Sequence, residues 1–138
     1  MANQYLTVQQ AQYLLSKNSS TVSDPDEVSD SVSAASGSAV TVCYSAEYGE
    51  GVYLVNSYVS FPASSSGRRH IHLAETNTGS TMDNWSQLTL APSNTQPTVM
   101  NMTGIYKRTS TGRWYLRAYQ NSGSSQTVSG GIRVLKLH

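Results

Sequence analysis

Residues 113–123 read R-W-Y-L-R-A-Y-Q-N-S-G, and this stretch decides the fold class. Trp114, Leu116 and Ala118 alternate with Arg113, Tyr115, Arg117 and Tyr119. A period of two places the sets on opposite faces of a pleated strand. Aromatic and bulky side chains suit such a half-buried surface. One face is apolar enough for a core. The other is amphipathic and basic, which suits solvent or a partner subunit. Asn121-Ser122-Gly123 then ends the strand with turn chemistry, because glycine takes a positive φ at no steric cost.

Working outward, β-like segments dominate. Residues 98–108 predict a strand, 109–112 a hairpin turn, 122–131 a Gly/Ser loop and 132–137 a last strand. Upstream, 39–46 is a short buried strand and 47–51 a loop. Residues 52–61 form a strand, with Tyr53, Val55, Val59 and Phe61 on one face and Leu54, Asn56, Tyr58 and Ser60 on the other. A Ser-rich turn spans 62–67. Residues 68–75 follow as a strand with Ile71 and Leu73 inward, then a loop, a short strand at 85–90, and a Pro-bounded loop at 91–97. About seven short strands with turn signals between them fit an antiparallel sandwich or barrel. No βαβ rhythm appears, which argues against a parallel sheet.

The N-terminal part differs. Thr7 and Gln10 match a capping box, and Val8, Ala11, Leu14 and Leu15 follow at helical spacing, so 1–17 predicts a short helical segment for attachment or oligomerisation. About eleven helical residues are marginal alone in water, so this helix needs something to pack on. Residues 18–38 are rich in Ser and Asp and read as an extended linker containing a strand-like or short helical piece. Residues 39–138 make the β domain.

Composition sets limits on function. A chain of 138 residues suits one domain with a self-standing core. Only 12% of residues are charged, against about 25% in ordinary soluble domains. Polar uncharged residues fill the gap, as in all-β, extracellular and virion proteins. Nine Tyr against one Phe point the same way, since tyrosine joins an apolar body to a polar tip. A net charge of +1 is not the footprint of a nucleic-acid binder. The single cysteine, Cys43, excludes an intrachain disulfide and reads as a small buried hydrophobe. No apolar run is long enough for a membrane helix, and the first residues lack a signal peptide's basic and apolar regions.

Three pieces together carry a family resemblance: Gly51-Val52-Tyr53-Leu54-Val55; Thr103-Gly104-Ile105-Tyr106-Lys107-Arg108 with the strand 114–120; and Tyr119-Gln120-Asn121-Ser122-Gly123 followed by a Gly-rich loop and Ile132–Leu137. Their order resembles the jelly roll shared by tumour necrosis factor and the globular heads of complement, in its bacteriophage and bacterial branch. Ser110-Thr111-Gly112-Arg113 departs from that family's usual Gly-Asp hairpin. The resemblance implies an antiparallel TNF-like sandwich that assembles as a homotrimer. Aromatic and small residues of one sheet would meet around the threefold axis, with Tyr58, Tyr115 and Tyr119 as candidates.

No sequence pattern carries catalysis. There is no G-x-S-x-G elbow, no phosphate loop opening a helix, and the acids lie mainly in the linker and loops. The sequence predicts no enzyme and no cofactor. His70 and His72 share a strand face at a spacing that suits zinc, but no motif supplies a third ligand, so they read as structural or solvent-exposed. Asp24, Asp26, Glu27 and Asp30 miss calcium-loop spacing. Tyr48, Asn77, Asn84, Trp85 and Asn94 supply rings and amides suited to a sugar, with Trp85 reading more readily as core, and Arg68 and Arg69 suit an acidic surface or, equally, read as ordinary solvating charges.

The expected protein is a non-enzymatic bacteriophage virion surface protein. It is the trimeric head of a short fibre or a capsid decoration protein, docked on other virion proteins through its helix and linker and able to meet a host glycan or protein. Its own initiator Met and short length suit a small separate component. No nucleic acid or membrane insertion is expected. A free bacterial lectin-like module and a polysaccharide-acting enzyme are the alternatives.

Overall fold

A computed structural model of the chain describes residues 8–10, 25–64, 66–77, 86–90 and 96–138. Among these, eight strands run in chain order: β1 (Asp26–Ala34), β2 (Ser38–Tyr44), β3 (Gly51–Phe61), β4 (Arg68–Ala74), β5 (Ser86–Leu90), β6 (Thr98–Arg108), β7 (Tyr115–Gln120) and β8 (Gln126–Lys136). They form two four-stranded sheets, ordered β1-β8-β3-β6 and β2-β7-β4-β5. We call these the β3 sheet and the β7 sheet. Every neighbouring pair is antiparallel. Consecutive strands mostly alternate between the layers, and the last strand returns beside the first. This is a jelly-roll sandwich.

Alternation builds the core as the sequence predicts. From the β3 sheet, Tyr53, Val55, Val59, Phe61, Met100, Val128, Ile132 and Val134 face inward. From the β7 sheet, Val42, Cys43, Ile71, Leu73, Leu116 and Ala118 meet them. A β-bulge between Thr41 and Cys43 lets β2 turn both Val42 and Cys43 inward. Burial, and secondarily the charge of Asp30, pushes the Cys43 thiol up to about 11, so it is an inert apolar group.

Trp114 fills one end of this core. Tyr48, Tyr53 and Tyr106 surround its ring at 5.5, 5.4 and 6.2 Å, and the Arg108 guanidinium covers it at 4.8 Å. Ser45 ties it to β2: the Ser45 amide donates to the Trp114 carbonyl at 2.9 Å, and the Trp114 amide donates to Ser45 Oγ at 3.0 Å. Gln120 fills the other end. Its Nε2 donates to the Ala34 and Ser124 carbonyls, both at 2.8 Å, and its Oε1 accepts from Ser122 N and Oγ.

Two segments differ from the sequence reading. Asp26–Ala34, inside the predicted linker, is a nine-residue edge strand paired along its whole length with β8. Its inward residues Val28, Val32 and Ala34 are small and widely spaced, so the alternation is faint. Its Asp and Glu side chains are the charges that blunt a sheet edge. The other segment is β8, which begins at Gln126, within the predicted Gly/Ser loop. Gly130 and Gly131 look like loop residues, yet they sit mid-strand opposite Val59 and Tyr58. At Gly131 an added Cβ would lie 2.8 Å from Tyr58 Cε1 and 2.9 Å from the Val28 carbonyl oxygen. The glycine makes room for that ring. Residues 8–10 are helical, and the remainder of the predicted helix lies outside the described residues.

Candidate assembly surface

The outer face of the β3 sheet is organised row by row, because its strands are in fixed register. At one end Leu135 of β8, Leu54 of β3 and Ile105 of β6 stand directly side by side. Neighbouring strands lie about 4.8 Å apart, so this apolar row is about 10 Å long. Ile105 is 64% exposed, and Leu54 and Leu135 are half-buried. Val52, half-buried, and Leu137, exposed, extend the patch.

The next row is polar. Arg133, Asn56 and Thr103 stand in line, with Arg133 Nε 3.1 Å from Glu27 Oε2 and Asn56 Nδ2 donating to Thr103 Oγ1 at 2.7 Å. The third row holds Gly131, Tyr58 and Asn101, and the fourth Ser129, Ser60 and Val99. Val99 is 58% exposed. Large aliphatic groups therefore remain open to water in the first and last rows, with Tyr58 between them. Only the first row, with Val52 and Leu137, is contiguous, and contiguous exposed apolar surface is the kind that marks interaction sites.

The outer face of the β7 sheet is different. Thr41, Arg117 and His72 form one of its rows. Arg117 and His72 are buried although they point away from the core. Thr41 Oγ1 donates to Asn77 Oδ1, so the chain leaving β4 crosses back over this face. Beside it, Tyr44 and Tyr115 pair at 5.9 Å, with the Arg113 guanidinium over Tyr44 at 5.3 Å.

The predicted site residues are dispersed. Tyr58 lies on the outer face of the β3 sheet, whereas Tyr115 and Tyr119 lie on the outer face of the β7 sheet. One sheet cannot bring all three to a common axis. Tyr48 packs against Trp114 and donates from its hydroxyl to Asp26 Oδ2 at 2.8 Å, so its ring belongs to the core cluster. Burial first, and this bond second, raise its pKa. Asn77 is exposed on the β7 sheet side, and Asn84, Trp85 and Asn94 lie outside the described residues.

Arg68 is exposed but Arg69 is fully buried, so Arg69 cannot grip an external acidic surface. Period two sets Arg69 on the same side of β4 as Ile71 and Leu73, and that is the reason. His70 and His72 do share a face, with ring centroids 6.4 Å apart, and burial lowers the His70 pKa. Among the described residues no group of three His, Cys, Asp or Glu is placed to hold a metal ion. The sequence reading missed the row of Leu54, Ile105 and Leu135. Its signal was apolar residues at outward positions of three strands, visible only once register is known.

Comparison with known proteins supports the fold. It matches the globular domain of zebrafish complement 1qA protein with a TM-score of 0.53. That alignment covers 84% of this chain and 98% of the other, at 11% identity. The VP2 subviral particle of infectious bursal disease virus matches at a TM-score of 0.51 and 11% identity, over 84% of this chain and 34% of that one. The structure of the Gx strain of the same virus matches at 0.50 and 12% identity, over 84% and 33%. At such identity the likeness is one of fold. No protein family and no curated protein matches the sequence. Among the described residues no helix is long and apolar enough to cross a membrane.

Proposed function

We propose that this chain is a non-enzymatic bacteriophage virion surface protein, a homotrimeric jelly-roll head of a short fibre or a capsid decoration protein. The observation that carries the reading is the uncovered, in-register row of Leu135, Leu54 and Ile105 on the β3 sheet. A second copy covers it. Burying three such side chains is worth at most about 5–9 kcal/mol. Association costs roughly 4–15 kcal/mol. The interface must therefore extend along the face over Val52, Tyr58 and Val99, which the row order allows. Tyr58 is thus an interface residue, while Tyr115 and Tyr119 are left on the far side.

That far side, with Tyr44, Tyr115, Arg113, Arg68 and Asn77, is turned outward in such an assembly and is where a host glycan or protein would be met. Rings stack on sugars and amides bond their hydroxyls. The segment before Asp26 would dock on other virion proteins. The jelly-roll likeness to a viral particle protein supports this reading. Imaging of purified phage particles tests it: density for this body is expected on the particle surface. Particles without it, with free protein in the medium that binds on a glycan array, would instead indicate a free lectin-like module.

A further inference from the structure

The cation buried at the Gln120 end of the sandwich takes no part in the proposed assembly. Arg69 is fully buried. Its guanidinium sits over the Phe61 ring, 5.7 Å from the centroid. Nη1 donates to the carbonyls of Ser66 at 3.3 Å and Arg68 at 3.2 Å. Nε and Nη2 are both buried and have no hydrogen-bond partner. Its cross-strand neighbour Gln120 is already committed at both ends of its amide. Glu75, Glu47 and Glu27 pair with Arg108, Arg113 and Arg133 instead.

This is a costly arrangement as it stands. A buried charge without a counter-ion gives up its hydration, and burial accordingly lowers the Arg69 pKa. An arginine nevertheless remains protonated. The chain also closes this end. Gly67, at φ +81°, lies against Asn121, where a Cβ would come within 2.5 Å of its carbonyl oxygen. Ser66 Oγ donates to the Ser122 carbonyl at 3.1 Å, and the Asn121 amide donates to the Arg68 carbonyl at 3.4 Å.

The two open donors are on one edge of the guanidinium. Nε–H and one Nη2–H point the same way in its plane, and that edge accepts two oxygens of a single anion. We propose that the Nε/Nη2 edge of Arg69, at the Gln120 end of the sandwich, holds a small oxyanion. The shared chemistry is two oxygens bearing one delocalised negative charge, supplied by inorganic phosphate or sulfate or by a carboxylate such as formate.

Thermal unfolding of the full chain tests this, with phosphate, sulfate and formate each titrated at ionic strength held constant with chloride. The wild-type Tm is expected to rise with the logarithm of the oxyanion concentration. Arg69→Met should lose the rise, and so should Arg69→Lys, which keeps the charge without the fork. A response to phosphate and sulfate alone, or to formate as well, identifies the source of the anion. Equal rises in wild type and Arg69→Met, or a rise that chloride alone reproduces, would overturn the proposal. Equilibrium dialysis of the wild type against labelled phosphate, competed with sulfate and formate, gives a reading that does not depend on the variants folding. About one competed anion per chain supports the site, and no retained oxyanion contradicts it.

Discussion

The two outer faces of the sandwich share a backbone plan and differ in how they are covered. On the β7 sheet the chain itself crosses the face, Asn77 reaches Thr41, and Arg117 and His72 are buried. On the β3 sheet Leu54, Ile105 and Leu135 stand in a row, with Ile105 exposed and the two leucines half-buried. One face buries outward side chains under its own chain. The other keeps an exposed aliphatic row, which the proposed assembly would cover. The core beneath both is the same, so changes to core, face and edge should separate cleanly.

The largest effect belongs to the shared core. Trp114→Ala should cost about 3–5 kcal/mol and destabilise both faces at once, read as the shift in urea midpoint at unchanged slope. Next comes Gly131→Ala, which drives a methyl group into Tyr58 and the Val28 carbonyl on the β3 sheet. Overpacking of this kind costs about 1–3 kcal/mol. It should also weaken assembly through Tyr58, whereas a change on the β7 sheet should leave assembly alone. Thr41→Val is that change. It removes the hydroxyl that donates to Asn77 and should cost about 0.5–1.5 kcal/mol, with no effect on oligomer mass.

The smallest effect is a pH dependence on the β7 sheet. Burial lowers the His70 pKa in the folded state below the unfolded value of about 6.5. Between those two values the unfolded chain binds more protons, so stability is fully present above pH ~6.5 and falls as the pH drops through the folded pKa. His70→Gln should flatten part of that slope, measured as the difference in urea midpoint between mildly acidic and mildly alkaline buffer.

The sequence was legible where alternation is strong. β3 and β7 carry large inward residues at every second position, and the structure places Tyr53, Val55, Leu116 and Ala118 inward as that pattern requires. β1 was hidden because its inward residues are small, its outward ones resemble a linker, and its partner lies about a hundred residues away in the sequence. The start of β8 was hidden by Gly130 and Gly131, whose bareness serves Tyr58 rather than a loop. Arg69 carried its own signal, since it shares parity with Ile71 and Leu73, but its neighbour Arg68 made the pair look like solvating charge. The assembly row was beyond reach from sequence, because three residues far apart in the chain become adjacent only through strand order and register.

Sedimentation of the full chain in dilute solution, beside the Ile105→Glu variant, tests the uncovered face most directly. The wild type should have the mass of three 14.9 kDa chains, and Ile105→Glu, altered at a 64% exposed position, should be a folded single chain. A wild type that stays a single chain as concentration rises, or a variant that keeps the full assembly mass, would contradict the account.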